Sequence, residues 1–244
     1  MPVLYLSPST QEYNPYVNTG NEEYWMNRLA DAMEPILDAS GIRYDRNTPD
    51  MTAASSIAAS NAGRYDLHLA LHSNASPDGL AGSQRGVIAF YYPGSYWGMR
   101  AARILAEGLK AVYPLPDLVR AEPSTSIGEL RRTRAPAVLL ELGFHDNRQD
   151  AAWLTGNLEA VAASLVRSLA AYFGVPFFPS STPRTGTVET AGGALNVRER
   201  PDPDSPVLAR LYDGAQVTVV NAWNGWDLIR FGDETGYAAA EFIR

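Results

Sequence analysis

The chain contains no cysteine. Disulfide frameworks, thiolate metal sites and cysteine nucleophiles are therefore excluded, and any metal ion must be held by His, Asp, Glu or amide groups. Imidazole is scarce, with His68, His72 and His145 the only three histidines. Lysine is scarcer: Lys110 is the single lysine among 20 basic residues, so no lysine-rich patch exists to meet a membrane. Acidic residues number 27, and the formal charge of −7 argues against nucleic acid as the main partner. No run approaches the roughly 20 apolar residues of a membrane span. The opening Met1-Pro2-Val3-Leu4-Tyr5-Leu6-Ser7 has no basic n-region and no apolar h-region, and it reads as a strand rather than a secretory signal.

What is present is an ordinary globular composition, 45% hydrophobic and 19% charged over 244 residues. That length suits a medium domain plus a small one. The segment Pro176-Phe177-Phe178-Pro179-Ser180-Ser181-Thr182-Pro183 is rich in Pro and Ser, with helical patterning before it and strand patterning after it. It divides the chain into a body (1–175), a linker (176–186) and a tail (187–244).

The body alternates strands and helices. Apolar runs at Pro2–Leu6, Leu67–Leu71, Gly86–Tyr92 and Ala137–Leu142 read as strands, as does Ile42–Tyr44. Residues 21–39 carry Trp25, Met26, Leu29, Ala30, Met33 and Leu37 at helical spacing, with Gly41 as the stop. Further helices are expected over 55–62, 97–112 and 150–172. This predicts an α/β fold with a mixed, largely parallel twisted sheet flanked by helices. In the tail, five short strand candidates separated by turns such as Asp213-Gly214 and Asn224-Gly225 predict a small β-barrel.

His72 and Glu141 each close an apolar strand, and the carboxyl ends of strands are where sites assemble in α/β sheets. A carboxylate so placed is costly to bury unless paired or used. Glu141 thus reads either as a salt-bridged edge residue or as a catalytic group. His72 reads as a hydrogen-bonded residue or a ligand. His68 faces the same side four residues earlier, roughly 13 Å away at about 3.3 Å per residue. The two cannot share a metal, and His68 reads as a core histidine. Glu22 and Glu23 open the first long helix, where the dipole alone favours acidic residues, and Asn21 suits an N-cap.

Taken in order, these pieces become specific. A strand and polar loop lead to Asn21-Glu22 at a helix start, then to His72-Ser73-Asn74-Ala75, then to Pro136-Ala137-Val138-Leu139-Leu140-Glu141-Leu142-Gly143-Phe144. Over residues 2–173 this resembles the zinc-dependent N-acetylmuramoyl-L-alanine amidases. The resemblance implies Zn2+ held by Glu22 and His72, with Glu23 the neighbouring alternative, and Glu141 as general base. It implies cleavage of the bond between N-acetylmuramic acid and L-alanine in peptidoglycan. The family's first strand leads into Asp-Pro-Gly-His-Gly, which supplies another His ligand. Here the chain reads Ser7-Pro8-Ser9-Thr10-Gln11-Glu12-Tyr13-Asn14, keeping Pro8 and losing the His. Gln11 or Glu12 can replace it, His145 can approach from beyond Glu141, or the metal is lost and a wall binder without turnover remains. A rearranged working site with Gln11 as the third ligand is the reading preferred here. Asn74 and His145 are candidates for substrate contact, and Arg131, Arg132 and Arg134 read as a solvated basic loop.

The tail, with Leu195-Asn196-Val197-Arg198, Gly225-Trp226 and Gly236-Tyr237 in order, resembles a bacterial SH3 (SH3b) domain, a small SH3-like barrel. That implies wall-peptide binding, with Trp223 at the surface and Trp226 in the core. Tyr237 is open to either role. Together the resemblances imply a monomeric autolysin or endolysin. It would be cytoplasmic until released and act on peptidoglycan, with no nucleic acid or integral membrane contact.

Overall fold

Strand β1 (Val3–Pro8) opens the chain and buries Leu4 and Leu6 completely. The computed structural model describes residues 1–244. After β1 come α1 (Glu22–Ala39), β2 (Arg43–Arg46), α2 (Ala53–Ala62), β3 (Leu67–Asn74), β4 (Val87–Tyr91) and α3 (Tyr96–Lys110). The body ends with β5 (Val119–Pro123), α4 (Gly128–Arg132), β6 (Ala137–Phe144), α5 (Arg148–Gly156) and α6 (Leu158–Phe173). The strands form one six-stranded sheet ordered β2-β1-β3-β6-β4-β5, parallel except where β4 meets β6.

The two sheet faces differ. Leu4, Leu6, Leu67, Leu69, Leu71, Val138, Leu140 and Leu142 point into the large core beneath α1, α3 and α6. Because strand side chains alternate, the intervening residues face the other way. There Ala70, Ala137 and Leu139 meet Leu130 of α4 in a small cluster. Ser7, His68, His72 and Glu141 share this thinner face by the same alternation. Helix α1 starts where expected: Asn21 accepts the Tyr24 N–H at 2.8 Å, and Met26, Leu29, Ala30, Met33 and Leu37 are fully buried.

Three departures have local causes. The helix expected over 150–172 is two helices, because Asn157 at φ −136° breaks the ladder. Apolar positions on both sides keep the periodicity and hide the break. Strand β5 and helix α4, short and polar, were not anticipated. The tail holds six antiparallel strands rather than five: β7 (Arg184–Thr187), β8 (Ala194–Arg198), β9 (Val207–Tyr212), β10 (Gln216–Trp223), β11 (Trp226–Phe231) and β12 (Glu234–Ala239). Strand β7 pairs with β10 from Arg184 onward, so the last residues of the expected 176–186 linker belong to the second sheet.

The rest of that segment is held in place. Phe178 N–H donates to Ser40 Oγ at 3.0 Å, and the Arg167 guanidinium lies 4.1 Å from the Phe177 ring centroid. Asn221 Nδ2 donates to Ala39 O at 2.8 Å, and Met1, Val220, Leu228 and Tyr237 form a buried cluster between the two sheets. Gly41 (φ +69°) serves this contact twice. Its left-handed backbone ends the helix turn, and a Cβ there would come within 2.9 Å of Leu228 Cδ1. Leu228→Ala should cost about 3 kcal/mol through the cavity it leaves. It should also speed proteolysis between residues 176 and 183. Unchanged denaturant midpoint and cleavage rate would show that the tail is not fixed through this cluster.

Candidate active site

The site forms at the carboxyl ends of β1, β3 and β6. His72 and Glu141 are register partners across the β3–β6 pair. Helix α1 brings its first residue, Glu22, against them. Glu22 as a whole is 1% exposed, and its Oε1 lies 2.8 Å from His72 Nδ1. Glu23, the alternative, is partly exposed and makes no contact there. The loop after β1 is knitted into the same place. Asn14 Nδ2 donates to Glu22 Oε2 at 2.7 Å and to Gln11 Oε1 at 2.8 Å, while Gln11 Nε2 lies 3.3 Å from His72 Nδ1. Glu12 is exposed and stands apart.

The other face of the His72 ring meets a residue that sequence reading missed. Glu129, from α4, places Oε2 3.3 Å from His72 Nε2. Its Oε1 lies 3.2 Å from His68 Nε2 and accepts the Ser7 hydroxyl at 2.8 Å. His68 in turn meets Ser60 Oγ at 3.0 Å through Nδ1 and stacks on Tyr5. His68 is therefore buried as expected, but it is not merely packed. The backbone spacing that separates His68 from His72 is bridged by one carboxylate reaching both rings. A cavity of about 180 Å3 opens beside this row, bounded by Ser9, Gln11, Tyr13, Met51, His72 and Glu129.

Charge explains the set. Burial opposes a charged His72, but the hydrogen bonds its ring donates to Glu129 and Glu22, with their negative charges, outweigh it and push its pKa up to about 10. Burial likewise opposes ionisation of Glu129 and Glu22. Their imidazole partners, helped at Glu22 by Asn14 and Ser9, hold both below the usual carboxylate range. Glu141 differs. Desolvation raises its pKa to about 7, eased by His72 and reinforced by Glu22 and Glu129, and its buried Oε2 has no hydrogen-bond partner. An unpartnered carboxylate poised near neutrality is chemically able to take up and return a proton.

The remaining candidates scatter. His145 is buried with Nδ1 on the Ser73 carbonyl at 3.0 Å and 4.0 Å from Glu22 Oε2, so it backs the site rather than lining its mouth. Asn74 Oδ1 accepts the Ala75 N–H in its own turn. Arg134 is tied to Asn61, and Arg131 and Arg132 are exposed. Trp223 lies in the second sheet, away from His72. Trp226 is half-buried against the cluster between the sheets, and Tyr237 is fully buried.

No three His, Asp or Glu side chains converge on one metal position. The strong donors are two, Glu22 Oε1 and His72 Nδ1; Gln11 turns its Nε2 toward His72 and its Oε1 toward Asn14, so its amide must turn over before its oxygen can ligate. Two features fit a divalent cation there. The carboxylate behind Nε2 is how ligating histidines are held with the other nitrogen free. Three carboxylates around one imidazole also leave a buried excess of negative charge for a cation to neutralise.

Against this geometry stand the comparisons with known proteins. The family model described as N-acetylmuramoyl-L-alanine amidase matches residues 12–171. The chain belongs to that family. A second model, bacterial SH3 domain, matches residues 193–244. No curated protein matches the chain. Among solved structures, the amidase AmiC2 of Nostoc punctiforme superposes with TM-score 0.62 at 14% identity, covering 71% of this chain and 97% of that one. The catalytic domain of CwlV from Bacillus (Paenibacillus) polymyxa var. colistinus gives 0.62 at 17%, covering 72% and 100%. The catalytic domain of an endolysin targeting Clostridia difficile gives 0.57 at 20%, covering 70% and 97%. These likenesses are to the amidase fold.

Proposed function

We propose that this member of the amidase family is a peptidoglycan hydrolase that cleaves the amide between the lactyl carboxyl of N-acetylmuramic acid and L-alanine. The observation that carries the reading is Glu141: desolvated, unpartnered through Oε2, and register partner of His72. Zn2+ is the proposed cofactor, with Glu22 and His72 as ligands and Gln11 as the third. When bound, zinc lowers the pKa of a water and polarises the scissile carbonyl.

The chain's own groups do the rest. Glu129 accepts a hydrogen bond from His72 Nε2–H and so keeps Nδ1 turned toward Glu22. Glu141 takes a proton from the attacking water as its oxygen bonds to the amide carbon. As the C–N bond breaks, Glu141 returns that proton to the alanine nitrogen. The products are a free lactyl carboxylate and a free α-amine. The SH3 domain is proposed to hold the enzyme on the wall and raise its local concentration. No helix is long and apolar enough to cross a membrane.

Incubation with purified peptidoglycan should release new alanine amino termini with zinc supplied, and the release should stop with chelator. Absence of release from several wall types would favour the alternative, an amidase-fold wall binder whose missing second imidazole has cost it turnover.

A further inference from the structure

The cavity of about 180 Å3 beside His72 and Glu129 has walls that the proposed reaction does not use. Apart from the Tyr13 phenol, the ionisable groups in its lining are His72 and Glu129, which pair with each other at 3.3 Å. No arginine or lysine lines it. The remaining surface is hydroxyl, amide and apolar, with Thr10 and Met51 among its residues. A free carboxylate finds no counter-ion in such walls, whereas an uncharged group rich in hydroxyls and amides is matched by them.

Asn47 is the informative wall residue. It follows β2 directly and is 3% exposed. Its Nδ2 donates to Pro8 O at 3.0 Å and to Ser56 Oγ at 2.9 Å, and both partners also line the cavity. A carbonyl can only accept, so the atom facing Pro8 is the nitrogen and the amide's orientation is fixed. Its Oδ1 is left buried with no hydrogen-bond partner. An unpaired buried acceptor costs about 1–3 kcal/mol, and a ligand N–H would recover that cost. Neither metal ligation nor proton transfer at Glu141 calls on this oxygen. Tyr13, from the loop after β1, bounds the same cavity. Its hydroxyl donates to Gln11 Oε1 at 3.4 Å while the residue stays 73% exposed, so the ring is anchored at its edge and open on its surface. An open aromatic face suits the apolar C–H face of a sugar ring.

We infer that this cavity holds the N-acetylated sugar ring of the substrate, with the acetamido N–H donated to Asn47 Oδ1 and the ring laid against Tyr13. The inference rests on the proposed hydrolase reading and adds the direction in which the substrate lies. The muramic acid side of the scissile amide points toward Asn47 and Tyr13. The stem peptide, which carries the substrate's carboxylates, leads away from these uncharged walls.

The test uses two sugars that lack the scissile bond. One is the methyl glycoside of N-acetylmuramic acid. The other is its 2-O-acetyl counterpart, which keeps the acetyl group and has oxygen in place of the N–H. Both carry the same lactyl carboxylate, so its contacts cancel in their ratio. NMR titration of the full chain should show the acetamido sugar binding about tenfold tighter. Tyr13→Ala should weaken both about fivefold and leave the ratio unchanged. Asn47→Leu should erase the ratio. Its loss of the bonds to Pro8 and Ser56 can unfold that variant, and the wild-type comparison then decides without it. Equal affinity for the two sugars, no binding of either, or wild-type affinity in Tyr13→Ala overturns the inference. A chain that releases alanine amino termini from the wall yet shows equal affinity refutes the sugar subsite and leaves the hydrolase reading standing. A chain that prefers the acetamido sugar yet cleaves no muramoyl amide supports the subsite and refutes only the hydrolase reading.

Discussion

Replacing Glu141 by Gln is expected to abolish turnover and, at the same time, to stabilise the protein above neutral pH. Loss of a general base costs about 10²–10⁴-fold in rate. With one carboxylate serving both as base and as the acid that returns the proton, the upper end applies. Wall binding should be untouched, because the SH3 domain is built from residues beyond 183. The stability effect follows from the pKa. The folded value of about 7 lies above the usual 4.5 of a carboxyl. The stability linked to this group is therefore fully present below pH 4.5 and is lost as pH rises through 7. Gln carries no such cost. Discounted for partial exposure, the gain at pH 8 is about 2 kcal/mol. Thermal unfolding of metal-free wild type and variant should coincide near pH 4.5 and diverge by pH 8. A variant that still turns over removes Glu141 from the mechanism, and equal melting at both pH values removes the strain assigned to its carboxylate.

The fold was legible where covering elements force a repeating pattern. β3 and β6 are central strands covered on both faces, so their apolar runs are nearly continuous, and His72 and Glu141 stand out against them. α1 announced itself through its buried stripe and its Asn21 cap. Of the proposed site residues, His72 and Glu141 therefore came from strand ends, and Glu22 from the family resemblance that the order of motifs carries. Glu129 did not. It sits on a five-residue helix, between Gly128 and Leu130-Arg131-Arg132, where a glutamate reads as solvent-facing. Only tertiary packing turns it inward, onto two histidines whose backbone spacing alone gave no reason to connect them. β7 escaped for a related reason. Arg184-Thr185-Gly186-Thr187 has no apolar alternation, and its strand character comes from pairing with β10.

Glu129→Leu tests whether that inward carboxylate matters, and its expected effect is larger than that of any surface change. The substitution keeps most of the volume but leaves His72 Nε2, His68 Nε2 and Ser7 Oγ without their acceptor. Removing one member of a buried ion pair costs about 3–5 kcal/mol, because the partner's charge stays buried and unpaired. Here His72 retains only Glu22, so its raised pKa should fall, and the ring should no longer be fixed from behind. Supporting carboxylates behind metal-ligating histidines are worth about 10–100-fold in metal affinity. Zinc competition against a chromophoric chelator should show a loss of that size in Glu129→Leu. Glu129→Gln, whose amide oxygen can still accept from one histidine, should lose less. Ser7→Ala removes a single neutral donor and should cost about 1 kcal/mol with zinc affinity nearly intact. If Glu129→Leu unfolds at the wild-type denaturant midpoint and binds zinc as tightly, the row from His68 to Glu22 is incidental. The metal reading would then rest on Glu22, His72 and Gln11 alone.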